Sequence, residues 1–406
     1  MRKKSTTLIQ GMPSDRVVLS SDYVSTQAMA EDISQMDDWY DLLETGIATG
    51  TIAANSNTVS VVNGSLSSDG TLRAGDIFSP DDGLNWYNIL SVPDNNSFVL
   101  RSDVVLAPLS ASSFLIARPK YRRVYLDNPN NLNTLNFKLT ANPIFIHVIN
   151  TSGSPFVMDS GNDGSFFTPQ RQGVTILYGM KTRQESYTEG HIYWGGGSGV
   201  GEGFIDMSNH CEEYNGRHDL KSVDVIRPFG GFGSVKLVNS YYESAQDMML
   251  IETTGRFEME DCTCLGRVTD LGFGFGIGIR MFLRSPDLAE NCKFIIDSRD
   301  APLSKSNVFG ATDQVGGNVS IINNSEIYFI GSVDTEFNVI GNSGLTVADC
   351  DITMNNCIID ASGSAVGTPD IVRATTYTGA GSLTMNQCTK TNVVDGGGGV
   401  FSITNT

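Results

Sequence analysis

Paired carboxylates are the first chemistry this chain could perform. Glu202, Asp206, Glu212, Glu213, Asp224, Glu243, Asp247, Glu258 and Glu260 crowd one stretch. Two carboxyls about 5–10 Å apart can cleave a glycosidic bond, one as acid and the other as base or nucleophile. The pattern has little specificity: with 45 acidic residues in 406, solvated surface charge explains it better. His191, Tyr193, Trp194, His210 and His218 cluster beside a Gly-rich segment, 195–203. An aromatic loop of this kind can hold a sugar, so His191, Tyr193 and Trp194 are candidate glycan contacts. A packed loop at a solenoid entrance or subunit contact explains them better. The glycines are no nucleotide cradle, because no Lys-Ser/Thr pair follows and no helix is predicted after them. No Ser-His-Asp spacing stands out, and no catalytic residue or cofactor site is assigned.

The seven cysteines carry a stronger signal. A turn-forming residue followed by Cys or Ser recurs at His210-Cys211, Asn239-Ser240, Asp261-Cys262, Asn291-Cys292, Asn324-Ser325, Asp349-Cys350, Asn356-Cys357 and Gln387-Cys388. The separations are 29, 22, 30, 33, 25, 7 and 31 residues. Three residues before the Cys or Ser lies an apolar residue in most units: Leu237, Met259, Ile322, Val347, Met354 and Met385. Another follows two residues after, as at Tyr242, Phe294, Ile327 and Ile359. Those two sets have opposite parity, so one straight strand would point them to opposite sides. A corner between them turns both inward, and Asn and Asp tolerate the left-handed backbone a corner needs. Each unit therefore reads as strand, sharp bend, strand around a shared interior.

Repeats of about 20–50 residues mean solenoids, and strand-to-strand corners point to a parallel β-helix. A β-sandwich with Asn-Cys turns is the competing fold. Stacked coils stand about 4.8 Å apart, beyond the usual Cβ–Cβ range of a disulfide. The column Cys211, Ser240, Cys262, Cys292, Ser325, Cys350, Cys357 and Cys388 is thus expected to be a ladder of small, reduced interior residues. There is no Cys-x-x-Cys, only Cys262-x-Cys264, so no metal site is expected.

Other elements precede this solenoid. Residues 1–46 read as an arm and one helix, from about Thr26 to Glu44, with Ser25 as N-cap and Gly46 as the stop. Met29, Ile33, Met36, Tyr40 and Leu43 step by four and three, a two-heptad seam. It suits an amphipathic helix on its own domain, or a bundle on an oligomer axis. Residues 47–120 break into short strands at turn signals, a small β-barrel or sandwich. Residues 121–141 read as a connector, and 142–406 as the β-helix. In 272–279, Phe273 and Phe275 share one face of a strand whose other face is bare Gly, which suits close approach between coils or chains.

The 47–120 stretch also carries a resemblance. Its order T-V, G, G-D-I-F, D-G, W-Y-x-I-x-S-V, F-V-L, F-L-I-A-R is similar to a small β-domain near the N-termini of bacteriophage tail and other virion proteins. The solenoid in turn resembles phage spikes and pectate-lyase-like folds, which implies a right-handed coil. Together these imply an all-β virion protein, made in a host cytoplasm. The role implied is a homotrimeric spike or fibre on the tail or neck, bound to other virion proteins and able to meet a host surface glycan. A capsid decoration protein and a polysaccharide depolymerase are the alternatives. A region of about 260 residues, eight or nine coils, is short for a glycan-cleaving spike.

Composition narrows the partners. Lys and Arg number 27 against 45 acids, a net charge of −18. The basic clusters are Arg2, Lys3 and Lys4, and Lys120, Arg122 and Arg123, too few for a phosphate-binding surface, so no nucleic-acid partner is expected. No apolar run approaches the ~20 residues of a membrane span, and no secretory signal is read at the start.

Overall fold

The computed structural model describes residues 17–43, 49–52, 57–62, 72–80, 83, 86–100, 109–111, 114–128, 135–136, 143–158, 165–168, 173–184, 191–195, 209–219, 226–228, 234–244, 256–267, 280–282, 285–300, 305–310, 318–331, 336–341, 350–364, 369–373, 381–396 and 401–406. It is a parallel β-helix with three sheet faces. The first face is a sheet of twelve strands, the second has nine, and the third carries four in its first half and five in its second. Parallel crossovers are right-handed as a rule.

Register explains why the chain coils. Leu237, Met259, Ala289, Ile322, Met354 and Met385 face one another in successive strands of the first sheet. All are buried in one core. Burying each large side chain contributes about 1.5–3 kcal/mol. A one-residue slip would turn the whole column to solvent, so the pattern fixes the stacking.

Between first and second faces, every described coil turns on one residue with positive φ: Gly153 (70°), Gly179 (63°), Asn215 (57°), Asn239 (50°), Asp261 (55°), Asn291 (54°), Asn324 (50°), Asn356 (52°) and Gln387 (55°). From Gly179 onward each donates its backbone N–H to a carbonyl of the next coil, at 2.8–3.0 Å. The next residue bends back locally. Ser240 and Ser325 donate their hydroxyls to the carbonyls of Val238 and Asn323. Cys262, Cys292 and Cys357 do the same with thiols, to Glu260, Glu290 and Asn355. Ser and Cys interchange at these five corners because both are small and carry one donor.

Two members of the expected ladder are misplaced. Cys211 lies within the strand Asn209–Tyr214, between Thr175 and Val235, and the corner of that coil is Asn215-Gly216. No larger residue fits there: a Cβ on Gly216 would come within 2.5 Å of the Glu213 carboxyl carbon. Cys350 opens the strand Cys350–Asn355 opposite Asn318, and the corner is Asn356-Cys357. The seven-residue separation was one coil counted twice.

The N-terminal elements close the end of the coil. Val17–Leu19 pairs in parallel with Arg123–Tyr125 and forms the first strand of the first sheet. Ser25 caps the helix by accepting from the Ala28 N–H at 3.1 Å. The helix spans Thr26–Ser34 rather than running to Glu44. Asp41 and Glu44 would otherwise fall in its last turn, where the dipole opposes negative charge. Instead the chain reverses through Asp38 (φ 67°), and Trp39 buries under the Arg122 guanidinium at 4.0 Å.

This corrects the oligomer seam. Met29 and Ile33 are fully buried in the chain's own core, with Met36 and Tyr40 packed against it. Leu43 packs on the small domain instead. Met29 and Ile33 are used within one chain and cannot line an axis between chains.

The expected connector also belongs to the coils: Arg122–Leu126 is in the first sheet and Leu135–Asn136 begins the third.

The small domain is one antiparallel eight-stranded sheet, running from Tyr40–Leu42 at one end to Leu109–Ala111 at the other. It starts inside the stretch expected to be helix. Its G-D-I-F and F-L-I-A-R segments are tied by charge: Gly75 turns at φ 93°, and Arg118 grips buried Asp76 through Nε at 3.0 Å and Nη2 at 3.1 Å. Ile77, Trp86 and Ala117 join the core that fills the coils, so the two units pack as one body.

Candidate functional site

Polar chemistry concentrates where the coils turn from Met180 to Tyr242. Glu213 occupies the inward column otherwise filled by Val148, Leu177 and Leu237. Its Oε1 lies 2.9 Å from His218 Nε2, and Tyr242 donates its hydroxyl to Oε2. His218 Nδ1 in turn lies 2.8 Å from the Thr182 hydroxyl. The His218 and Tyr242 rings stack 5.0 Å apart. An acid–imidazole–hydroxyl chain can relay protons, but all three members are at most 1% exposed. No substrate reaches them, so the chain is a satisfied interior network that fixes its coils.

The outer wall of the same coils is different. Arg123, His147, Ile176 and Glu212 face one another along the first sheet, beside the column of Tyr125, Ile149, Tyr178 and Tyr214. Glu212 is held from both sides: His210 Nε2 lies 2.7 Å from Oε1, and the Tyr214 hydroxyl donates to Oε2 at 2.6 Å. Tyr178 and Tyr214 stack at 5.3 Å, and Tyr121 meets His147 edge-on at 5.0 Å. Burial lowers the His147 pKa to about 4, with Arg123 adding to the effect and Glu212 opposing it. Burial likewise raises Tyr178 to about 12, and Glu212 adds to that. Both groups are uncharged at neutral pH. His147 Nε2 and the Tyr178 hydroxyl are buried without a hydrogen-bond partner. The carboxylate is thus engaged from both sides, and the imidazole beside it is buried and uncharged.

The other acids are also engaged. Glu243 accepts from the Tyr241 hydroxyl at 2.7 Å and lies 3.9 Å from Arg267. Glu258 pairs with Arg256, and Glu260 lies 3.6 Å from Lys236. Glu202, Asp206, Asp224 and Asp247 lie outside the described residues. Among the described residues no group of three His, Cys, Asp or Glu could hold a metal ion.

His191, Tyr193 and Trp194 fall on the strand His191–Gly195 of the third sheet, with Tyr193 between Phe167 and Ile226. They are therefore on a different face from the His147 wall. Phe273 and Phe275 lie outside the described residues. Sequence reasoning missed Tyr178 and Tyr214. Both immediately precede a corner residue, Gly179 and Asn215, so aligning the chain on true corners would have found them.

Among the described residues no helix is long and apolar enough to cross a membrane. No family model matches the chain, and no curated protein matches it. Solved structures are similar to the chain, three tailspikes among them. The tailspike protein gp49 from Pseudomonas phage LKA1 matches at TM-score 0.38 and 13% identity, over 86% of this chain and 64% of that one. The tailspike gp61 of Pseudomonas phage phi297 matches at 0.29 and 10%, over 86% and 62%. The Gp54 tailspike of Acinetobacter baumannii bacteriophage AP22, solved in complex with A. baumannii capsular saccharide, matches at 0.29 and 11%, over 86% and 64%. The chain spans a little under two thirds of the length of each.

Proposed function

We propose that this chain is a structural protein of a bacteriophage particle, a homotrimeric spike or fibre attached to the tail or neck. One observation carries the reading. A small antiparallel domain, whose turn-and-strand order resembles virion proteins, shares a single core with a parallel β-helix. That construction suits a rigid projection anchored at its N-terminal end. The half-buried rings of Tyr178 and Tyr214 supply a surface for host contact, and the His191–Gly195 strand is the second candidate for a surface glycan. The engaged state of Glu212, Glu213, Glu243, Glu258 and Glu260 favours a non-catalytic role over a depolymerase.

Removing residues 1–46 would take away the first strand and the buried helix with the arm, so it cannot test anchoring. Removing 1–16 spares both. The truncated protein is expected to fold, by circular dichroism and thermal unfolding, yet to be absent from purified particles when it replaces the full chain. Incorporation at the normal level would refute anchoring through the arm.

A further inference from the structure

Two thiols at the end of the second sheet stand apart from the other cysteines. Cys357 and Cys388 occupy the same corner position in successive coils, since Ile358 pairs with Thr389. Each thiol donates to a carbonyl of the coil before it, Cys357 to Ile322 at 3.4 Å and Cys388 to Met354 at 3.5 Å. Cys357 is buried, whereas Cys388 is partly open. Cys262 and Cys292 are also successive in the column, but both are only 1% exposed.

The surroundings differ too. The strand after Cys388, Thr389–Thr391, is exposed throughout and is the last of the nine in its sheet, with one neighbour rather than two. Adjacent strands stand about 4.8 Å apart, which is within the Cα separation a disulfide spans but wide for its Cβ atoms. Interior coils, paired on both sides, cannot close that gap. An edge strand with one neighbour can. We infer that Cys357 and Cys388 form an oxidation site, at which a low-molecular-weight disulfide converts the thiol pair into a disulfide that staples the last two strands of the second sheet.

The chemistry balances as two exchanges. The Cys388 thiolate attacks one sulfur of oxidised glutathione, forming a mixed disulfide and releasing one glutathione thiolate. Cys357 then loses its proton and attacks the Cys388 sulfur, releasing the second glutathione. Two protein thiols are oxidised, one glutathione disulfide is reduced to two thiols, and the two protons pass to them. Cys388 suits the first step because it is partly open, and the neighbouring Cys357 thiol and the Lys390 ammonium favour its thiolate. The Cys388 thiol beside it and its own burial push Cys357 up, which suits the second partner.

The test uses the full chain, freshly reduced, freed of reductant and exposed to oxidised glutathione without denaturant. Mass spectrometry is expected to show a loss of about two mass units, the two hydrogens of one disulfide. Thiol counting in denaturant should fall by two, and non-reduced digestion should link the Cys388 peptide to the one holding Cys357. In Cys357→Ser the reaction should stop at a glutathione adduct on Cys388. That variant is expected to fold, because Ser already fills the same position at Ser240 and Ser325. A stable glutathione adduct on Cys388 in the unmutated chain would overturn the proposal, as would no reaction, or linkage of Cys262 to Cys292 at an equal rate.

Discussion

Replacing Asn291 isolates the corner geometry from every other contribution. Its side chain is exposed and its backbone sits at φ 54°. Its N–H donates to the Asn323 carbonyl of the next coil at 3.0 Å, so the backbone cannot relax without breaking that bond. An ordinary L-residue pays roughly 1–2 kcal/mol to hold the left-handed conformation, Asn less, and Gly almost none. Asn291→Ala should therefore destabilise by about 1–2 kcal/mol. Asn291→Val should cost more, because a β-branched side chain fits that region worst. Asn291→Gly should stay within about 1 kcal/mol of the original, relief of strain offsetting the greater entropy of the unfolded chain. Urea unfolding followed by far-ultraviolet circular dichroism reads the order Gly, Ala, Val directly from the midpoints. Equal midpoints for Ala and Gly would mean that the corner imposes no left-handed constraint, and the reasoning from parity to coil would fail.

Four further outcomes are expected. Arg118→Ala leaves Asp76 buried without its cation and should destabilise the small domain by about 2–4 kcal/mol, read by chemical unfolding; no change would mean the pair is ornamental. Gly216→Ala drives a Cβ into the Glu213 carboxylate, at a cost of about 1–3 kcal/mol. An unshifted midpoint would show that the buried network yields freely. His147 has its pKa lowered from 6.5 to about 4, so between those values the unfolded chain binds the proton and the folded chain does not. Stability from this group is complete above about pH 6.5 and lost as pH falls, by about 2–3 kcal/mol at pH 4.5. His147→Gln should remove that share of the acid sensitivity, and an unchanged pH profile would exclude His147 as its source. Light scattering at micromolar concentration should give about three times the 43.8 kDa chain mass, and a mass near one chain would refute the trimer.

The coil was legible because its corners demand rare backbone chemistry. Asn239, Asp261, Asn291, Asn324 and Asn356 each supply it, and each is followed by a small donor that bonds backwards. The misreadings at Cys211 and Cys350 share a cause: a residue pair marks a corner only when the flanking strands lie in register, and register is a contact between distant residues. At the helix, the seam from Met29 to Leu43 was periodic, yet the helix spans nine residues and the chain then reverses at Asp38 to bury Trp39. The seam pattern could not tell burial under the chain's own coils from burial against another chain. The His147 wall was hidden for the opposite reason. Tyr121, His147, Tyr178 and Tyr214 come from four successive passes of the chain and meet only by stacking.

The most direct test of a projecting spike is to find where the far end of the coil lies on the particle. A small epitope after Thr406, labelled with gold and imaged on purified particles, should mark points standing clear of the tail or neck. Label spread over the capsid, or particles that carry none, would contradict the account.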